Sequence, residues 1–288
     1  MTLQYFTMQI ISTLIELRSF IAKAKENHQT IGFVPTMGAL HEGHLSLIKQ
    51  AIRSNQVTVV SIFVNPSQFN DPSDFEHYPR TLDRDIRILE PCGIDVLFAP
   101  SAGEMYPEPD QTIFDLGQLD TMMEGKHRKG HFNGVAQIVY KLFTAVMPDK
   151  AYFGEKDFQQ VAIIKQLVKN KHLDVEIVTC PIVREPDGLA MSSRNVLLSP
   201  EQRKSSVSIS KTLFESSTRR SEKSPNQLKN WVIDTINQVP DLDVAYFEIV
   251  NSSTLLPVES WSDSHEITGC IAVRIGAVRL IDNIRYNS

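Results

Sequence analysis

Cysteine is scarce in this 288-residue sequence, and long apolar runs are absent from it. The three cysteines, Cys92, Cys180 and Cys270, lie about ninety residues apart, so no close pair indicates a disulfide framework or a zinc site. We therefore expect them to be reduced, buried thiols in a cytoplasmic protein. No uncharged apolar run approaches the roughly 18–20 residues that a membrane span needs. A signal-peptide pattern is also missing, so we expect no membrane partner.

Basic residues are not in excess either, because 29 lysines and arginines face 34 aspartates and glutamates, which gives a net charge of −5. Salt-driven binding to DNA or RNA needs a basic surface, so we expect no nucleic-acid partner. A small basic pocket for a phosphorylated ligand stays compatible with this charge. Apolar residues make up 42% and charged residues 22%, which is typical of a globular protein and argues against disorder.

The first two thirds of the chain alternates short apolar runs with helical patterns. The runs predict strands over residues 30–34, 57–64, 95–99, 150–153 and 174–179. Helices are expected over residues 43–55, from Thr81 to Pro91 with a buried stripe of Leu82, Ile86 and Leu89, from Gly134 to Pro148, and from about Asp157. Strands that are apolar throughout are buried on both faces. We therefore predict an α/β domain with a doubly wound, Rossmann-like parallel sheet whose ligands bind at the carboxyl ends of the strands.

The rest of the chain predicts a smaller α+β domain with an antiparallel hairpin. Helices are expected over residues 200–217 and 225–238, a polar surface loop over 216–226, and strands over 244–250, 267–275 and 278–284. Gly276-Ala277 fits a two-residue hairpin turn between the last two strands. We place the boundary near residue 182, which divides the chain into residues 1–182 and 183–288. Residues 1–7 precede Met8, and we assign no structure to them.

The segment His41-Glu42-Gly43-His44 gives the sharpest local signal, because it lies between a predicted strand and a predicted helix. Helix N-termini attract phosphate, and two imidazoles one turn apart can donate hydrogen bonds to anionic oxygens. Met37 and Gly38 fit a close approach of the backbone to a nucleotide. Taken alone, the pattern also fits a surface helix that begins with two incidental histidines. A zinc site is less well supported, since no third ligand is visible at the right spacing.

Four further segments have two interpretations each when they are taken singly. Lys156 can place a charge on a polyphosphate, while Asp157 can cap the following helix, bind a ribose hydroxyl or orient the lysine. The hydroxyls and guanidinium of residues 191–195 suit phosphate oxygens or form a polar linker. Gln68 can recognise a hydroxy acid or face water. The basic residues 125–134 can cover an anion or lie in solvent. All five segments follow a strand or open a helix, which is hard to attribute to chance.

Taken together, these segments resemble the pantoate–β-alanine ligase family of the nucleotidyltransferase superfamily, which carries the H-x-G-H signature. The matching stretches are PTMGALHEGH (35–44), SIFVNPSQF (61–69), YPRTLDRD (78–85), GHFNGVAQIV (130–139), YFGEKDFQQ (152–160), REPDGLAMSSRN (184–195) and RLIDNI (279–284). They span almost the whole chain in the family's order. The resemblance implies that pantoate attacks the α-phosphate of ATP to form pantoyl-adenylate and pyrophosphate. The amine of β-alanine then displaces AMP, giving pantothenate.

The resemblance also implies a set of site residues and a homodimer. The implied ATP site consists of Met37, Gly38, Ala39, Leu40, His41, Glu42, Gly43, His44, Gly154, Glu155, Lys156, Asp157, Val183, Met191, Ser192, Ser193 and Arg194. The implied catalytic residues are His41, His44, Lys156, Ser192 and Arg194. Gln68 would hold pantoate and border β-alanine, and Gln160 would contact pantoate. In this implied arrangement, residues 1–182 bind the nucleotide and pantoate, and residues 183–288 close over them.

Mg²⁺ is expected with ATP, bound mostly by phosphate oxygens and water. Members of the family often have adjacent acidic residues near the metal, but Arg84 interrupts them here and leaves Asp85 as a candidate ligand. Two other hypotheses compete with the ligase. One is a nucleotidyltransferase that moves AMP or CMP onto a phosphorylated acceptor. The other is a tRNA-charging or RNA-binding relative, which the net charge and the absence of an anticodon domain argue against.

Overall fold

A computed structural model describes residues 8–286, so the interpretation of residues 1–7 lies outside the described part of the chain. The strands are β1 (Gln9–Ile11), β2 (Ile31–Thr36), β3 (Val57–Ile62), β4 (Val96–Phe98), β5 (Lys150–Gly154), β6 (Glu176–Cys180), β7 (Leu242–Asn251), β8 (Ile267–Ile275) and β9 (Val278–Arg285). The helices are α1 (Leu14–Glu26), α2 (Glu42–Ser54), α3 (Pro72–His77), α4 (Leu82–Leu89), α5 (Ala102–Met105), α6 (Met123–His127), α7 (His131–Val146), α8 (Phe158–Lys171), α9 (Pro200–Thr218) and α10 (Pro225–Asn237).

The first six strands form one sheet in the order β1-β4-β3-β2-β5-β6, and every neighbouring pair is parallel. Alternate side chains of a strand point to opposite faces, so Phe33 packs with α1 and α7 while Val34 packs with α2 and α4. Helices therefore cover both faces, and the predicted doubly wound parallel sheet is confirmed.

The strand order reverses between β2 and β5, which are paired side by side. The connections leaving these two strands turn toward opposite faces of the sheet, so a crevice opens at their carboxyl ends. The segments that follow β2 and β5 are residues 37–41 and 155–157, which lead into the H-x-G-H motif at residues 41–44 and carry Lys156. The topology alone thus brings two segments together that lie more than a hundred residues apart.

The C-terminal part holds an antiparallel sheet in the order β7-β8-β9, with α9 and α10 packed against it. Most of its buried apolar side chains form a cluster drawn from residues 189–286, separate from the two clusters of the parallel sheet. Val250, Leu255 and Cys270 instead form a small cluster with Met123 of the first part. Gly276 has a φ of +57°, as expected where a glycine opens a tight hairpin turn. This smaller α+β unit is confirmed, and its separate core supports the domain boundary near residue 182, which stays a prediction.

Four details of the sequence interpretation were wrong. Leu82 is exposed because it is the first residue of α4, and Asp85 is buried on that helix instead. Cys92 is only partly buried, whereas Cys180 and Cys270 are buried as expected. The loop expected from residue 216 begins later, because α9 continues to Thr218. Ser216 is buried and its hydroxyl lies 2.7 Å from the hydroxyl oxygen of Tyr286. Strand β1 and helix α1 had not been anticipated.

Candidate active site

One cavity opens at the carboxyl ends of the central parallel strands. Of the residues expected to bind or react, it is lined by Met37, His41, Gly43, His44, Gln68, Gly154, Lys156, Asp157, Gln160, Val183, Met191, Ser192, Ser193 and Arg194. Four of the five segments that the sequence analysis singled out therefore contribute residues to the lining of this cavity. What each side chain does there stays a prediction.

We call residues 37–44 the histidine turn, and a buried carboxylate holds it in place. Asp85 of α4 accepts hydrogen bonds from the backbone N–H groups of Ala39 and Leu40, both at 2.9 Å. Ala39 has a φ of +50°, a left-handed conformation that costs energy for a residue with a Cβ and persists where neighbours enforce it. Gly38 precedes it with a φ of +82°, and a Cβ there would lie 3.1 Å from Asp85 Oδ2. The turn is thus strained and held by α4.

Both histidine side chains accept hydrogen bonds from backbone N–H groups at the start of α2. The N–H of Gly43 donates to His41 Nδ1 at 3.1 Å, and the N–H of His41 donates to His44 Nδ1 at 3.4 Å. Because both Nδ1 atoms accept, each neutral ring carries its proton on Nε2 and can donate from there. A Cβ on Gly43 would lie 2.8 Å from the His41 ring, which explains why this position is glycine.

Both imidazoles are neutral at physiological pH. Burial lowers the pKa of His41 to about 4, and the nearby Lys156 ammonium acts in the same direction. Burial, together with the charge that His41 would carry, lowers the pKa of His44 to about 3. The site therefore offers two hydrogen-bond donors without two additional charges, and Lys156 and Arg194 supply the positive charge.

Lys156 belongs to the 3₁₀ turn Glu155–Asp157 between β5 and α8. Its ammonium lies 3.8 Å from Asp157 Oδ1, and its side chain is largely buried. Asp157 occupies the N-cap position of α8 but makes no side-chain capping bond, so the capping interpretation was wrong. The two alternatives, that Asp157 orients the lysine or binds a ribose hydroxyl, stay predictions.

We call residues 191–194 the arginine segment, and side-chain contacts attach it to the rest of the site. The Arg194 guanidinium donates to both carboxylate oxygens of Asp74 on α3, at 3.1 and 2.9 Å, and its centre lies 5.4 Å from the ring centroid of Tyr78. The Ser193 hydroxyl donates to the Ala39 carbonyl at 3.1 Å, which joins this segment to the histidine turn.

Gln68 is buried beside the cavity in the 3₁₀ turn Pro66–Gln68. Its Oε1 accepts from Asn65 at 3.1 Å, and its Nε2 lies 3.0 Å from the Met37 sulfur. Helix α7 touches this turn directly, because a Cβ on Gly134 would overlap the Ser67 carbonyl. The amide of Gln68 is therefore fixed by packing from two sides.

The basic segment 125–134 is neither a cover over the cavity nor a fully solvated loop. Arg128 is largely buried and donates to His131 Nε2 at 3.2 Å, and His131 Nδ1 in turn donates to the Gln68 carbonyl at 2.8 Å. Glu124 pairs with Arg279 of β9 at 2.6 Å. The segment thus supports Gln68, and the residue just before it, Glu124, contacts the antiparallel sheet.

Some residues of the implied ATP site do not line the cavity: Gly38, Ala39, Leu40, Glu42 and Glu155. Glu42 is exposed on α2 with its carboxylate 3.8 Å from Lys49, and Glu155 accepts from Arg285 at 2.6 Å. The apolar face of α7, in contrast, lines the cavity, although no residue of this face was among the predicted site residues. Its signal was the strongest helical stripe, directly after a basic glycine-flanked segment.

Asp85, the candidate Mg²⁺ ligand, makes several hydrogen bonds inside the protein. Both oxygens of Asp85 already accept hydrogen bonds, including one from Thr81 at 3.1 Å, so its geometry supports holding the histidine turn and not binding Mg²⁺. Residues 8–286 contain no group of three histidine, cysteine, aspartate or glutamate side chains placed to hold a metal ion. Across the same residues, no helix has the length and apolar character needed to cross a membrane.

The cavity lies where the strand order reverses, and it contains two neutral imidazoles and two cations. These features define a nucleotide-binding α/β enzyme that acts on anionic substrates. The family model for pantoate-beta-alanine ligase matches residues 9–285. The chain belongs to the pantoate–β-alanine ligase family, as the sequence resemblance predicted.

Individual relatives agree with this assignment over nearly their whole length. Pantothenate synthetase of Bacteroides fragilis strain YCH46 is 54% identical over 279 residues, which cover 97% of this chain and 99% of that protein. Its counterpart in Porphyromonas gingivalis strain ATCC 33277 is 52% identical over the same coverage. The crystal structure of pantothenate synthetase from Thermus thermophilus has a TM-score of 0.91 and 41% identity, covering 98% of this chain and 100% of that one.

A second solved structure of the family contains ligands. The pantoate-beta-alanine ligase of Francisella tularensis, crystallised in complex with beta-gamma ATP and beta-alanine, has a TM-score of 0.80 and 38% identity. The match covers 96% of this chain and 97% of that one. The same fold is therefore known to accept an ATP compound together with β-alanine.

Proposed function

We propose that this protein uses ATP to condense (R)-pantoate with β-alanine, giving pantothenate, AMP and pyrophosphate. Family membership supports the overall reaction, and the ligands of the Francisella tularensis relative support ATP and β-alanine as substrates. The observation that carries the proposal is the single cavity that unites His41, His44, Lys156 and Arg194 with Gln68.

In the first step, a carboxylate oxygen of pantoate attacks the α-phosphorus of ATP, and the bond to the β-phosphate oxygen breaks. Pyrophosphate leaves with the electron pair of that bond, so negative charge grows on its oxygens. Lys156 and Arg194 stabilise this charge, and the Nε2–H groups of His41 and His44 donate to the phosphate oxygens. Donors that are already in place need no reorganisation during the reaction.

In the second step, the β-alanine amine attacks the acyl carbon of pantoyl-adenylate and loses a proton, and the acyl–oxygen bond to AMP breaks. Adenylation makes this possible because AMP is a much better leaving group than the oxygen of a free carboxylate. Gln68 and Gln160 hold the pantoyl group, and Gln68 borders the space for the amine. No covalent nucleophile of the protein is required, since orientation of two bound reactants supplies much of the rate.

Three finer expectations belong to the same proposal. Mg²⁺ binds with ATP through phosphate oxygens and water, because the described residues offer no cage for it. Chelation is then expected to stop pyrophosphate release, and added Mg²⁺ to restore it. Two chains form a homodimer, which light scattering would detect as twice the 32.5 kDa of one chain. The protein works in the cytoplasm, where ATP is present as a substrate and where reducing conditions keep its three cysteines free.

One assay separates the ligase from the alternative nucleotidyltransferase. The purified protein is incubated with ATP, (R)-pantoate and β-alanine, and AMP, pyrophosphate and pantothenate are measured. We expect equal amounts of all three, and pyrophosphate with enzyme-bound adenylate when β-alanine is omitted. A stable nucleotide conjugate that forms at the same rate with and without β-alanine would favour the alternative.

A further inference from the structure

Strand β9 of the antiparallel sheet reaches the turn that carries Lys156. The side-chain amide of Asn283 donates two hydrogen bonds, to the Glu155 carbonyl at 2.8 Å and to the Lys156 carbonyl at 3.2 Å. Asn283 is buried, so bulk water does not compete for these two carbonyls. One side chain from the C-terminal sheet thus binds two consecutive peptides of the parallel-sheet unit.

The neighbouring residue on β9 holds another part of the same rim. Asp282 is buried and accepts two hydrogen bonds from Arg184, at 2.7 and 3.0 Å. Arg184 also donates to the Gly188 carbonyl at 3.1 Å. The stretch from Arg184 to Gly188 leads into the arginine segment. Consecutive residues of one strand therefore contact the turn of Lys156 and Arg184, which precedes the arginine segment.

The turn around Lys156 is short, and strand β9 contacts it through Asn283 and through the Arg285 contact with Glu155. It is a three-residue 3₁₀ turn, and the following helix has no side-chain cap. A lysine side chain rotates about four bonds, so the position of its ammonium depends first on the direction in which its backbone points. The Asn283 amide holds the Glu155 carbonyl, which precedes the Lys156 N–H, and the carbonyl of Lys156 itself. These two hydrogen bonds therefore set the direction of the Lys156 backbone.

We propose that Asn283 is a positioning residue that aims Lys156 at the phosphates from the opposite domain. The proposal deepens the ligase function proposed above and rests on it. The competing interpretation is that Asn283 only stabilises the interface between the two sheets. If Asn283 positions Lys156, the loss of activity in an Asn283 variant should depend on the presence of Lys156. If Asn283 only stabilises the interface, that loss should be the same with and without Lys156.

The test replaces Asn283 by leucine, which has a similar volume without donors, and separately by alanine. Pyrophosphate release from ATP and pantoate is measured for each variant that keeps the wild-type melting profile. We expect kcat/KM to fall about 10- to 100-fold, since a displacement near 1 Å of a reacting group has effects of that size. Arg285→Ala is the matched control, because it cuts the bond to the Glu155 side chain from the same strand. Its effect should stay within about fivefold, as for an exposed ion pair.

Double variants decide between the two interpretations. In a Lys156→Ala background the Asn283→Leu change should have no further effect, whereas in a His41→Ala background it should keep its full effect. Equal multiplication in both backgrounds would overturn the proposal, as would wild-type kcat/KM in Asn283→Leu. Folding failure of the leucine variant is covered by alanine, and by Asn283→Gln, which retains the amide and should retain more activity.

A binding measurement keeps this proposal separable from the function itself. Titration of ATP into the wild type, Asn283→Leu, Lys156→Ala and the double variant reports the same coupling without any acid substrate. If the wild type binds ATP but makes no pantothenate, the proposed function fails while the coupling remains measurable. If ATP affinity changes additively in the double variant, the positioning role fails while the function stands.

Discussion

The histidine turn and the arginine segment face the same cavity, and different bonds hold each of them. Buried backbone hydrogen bonds to Asp85 fix the histidine turn, together with the capping bonds of His41 and His44. The arginine segment is held by an ion pair to Asp74 at the rim and by one serine hydroxyl. The first wall is built before substrate arrives, whereas the second can exchange the Asp74 carboxylate for a phosphate at small cost.

The histidine turn is the place where we expect the largest effect of a single substitution. His41→Ala should lower the rate of adenylate formation about 10²- to 10³-fold, because a pre-placed donor to a developing anion contributes that much. Pyrophosphate release in single-turnover experiments measures it. In the wild type, the rate of adenylate formation should show no ionisation of His41 between pH 6 and 9, since the pKa of this group is about 4.

His41→Asn is the matched control for folding, because asparagine also accepts the capping bond that His41 takes from Gly43. The control should restore any stability that the alanine variant loses but not its activity. Near-normal turnover in His41→Ala would refute the donor role and would remove the contrast between the two walls.

Lys156→Ala should separate the two chemical steps. Loss of one charge-assisted contact to phosphate is expected to slow adenylation about 10- to 100-fold. Amide formation from isolated pantoyl-adenylate and β-alanine should change much less, because pyrophosphate is released before this step. Equal slowing of both steps would show that the lysine acts on the acyl group instead.

Asp85→Asn tests whether the histidine turn is as rigid as its bonds suggest. An amide NH₂ would face one of the backbone donors that the carboxylate now accepts from, so stability should fall by about 1–3 kcal/mol in urea denaturation. Asp83→Asn on the same helix is exposed and should change nothing. A raised Mg²⁺ requirement with unchanged stability would instead mark Asp85 as a metal ligand.

Asp74→Asn should give the smallest effect and the opposite sign. Asp74 and Arg194 form a partly buried pair, and removing the carboxylate frees Arg194 for phosphate. ATP should therefore bind about two- to fivefold more tightly, since ion pairs that still contact solvent contribute roughly 0.2–1 kcal/mol. Glu76→Gln on the same helix removes the same charge without touching Arg194 and serves as the control. Weaker ATP binding in Asp74→Asn would mean that Asp74 orients the guanidinium and does not compete for it.

The parallel sheet could be predicted because its strands are apolar on both faces, a pattern that few other structures produce. Strand β1 escaped because three residues at a sheet edge carry too short a signal. The burial of Asp85 could not be foreseen either, since its partners lie 45 and 46 residues away and polar burial depends on such contacts. Leu82 shows the reverse error, where a periodic apolar residue falls on the first, open turn of a helix.

The site could be located because each motif follows a strand, and the strand order then brings the motifs together. What sequence could not give is the direction of individual side chains. Glu42 and Glu155 belong to the right segments but turn toward Lys49 and Arg285. The support that Asn283 gives to Lys156 crosses 127 residues and leaves no periodic trace in the sequence.

Helix α7 has a practical meaning for anyone who redesigns the acid specificity of this enzyme. Gly134 lets the helix touch the turn of Gln68, so a larger residue there would displace the Gln68 amide. Further along the helix, Val135, Ile138 and Leu142 present only hydrocarbon to the cavity. If the proposed acid site is right, smaller side chains at these three positions should admit bulkier hydroxy acids, provided that the glycine is left untouched.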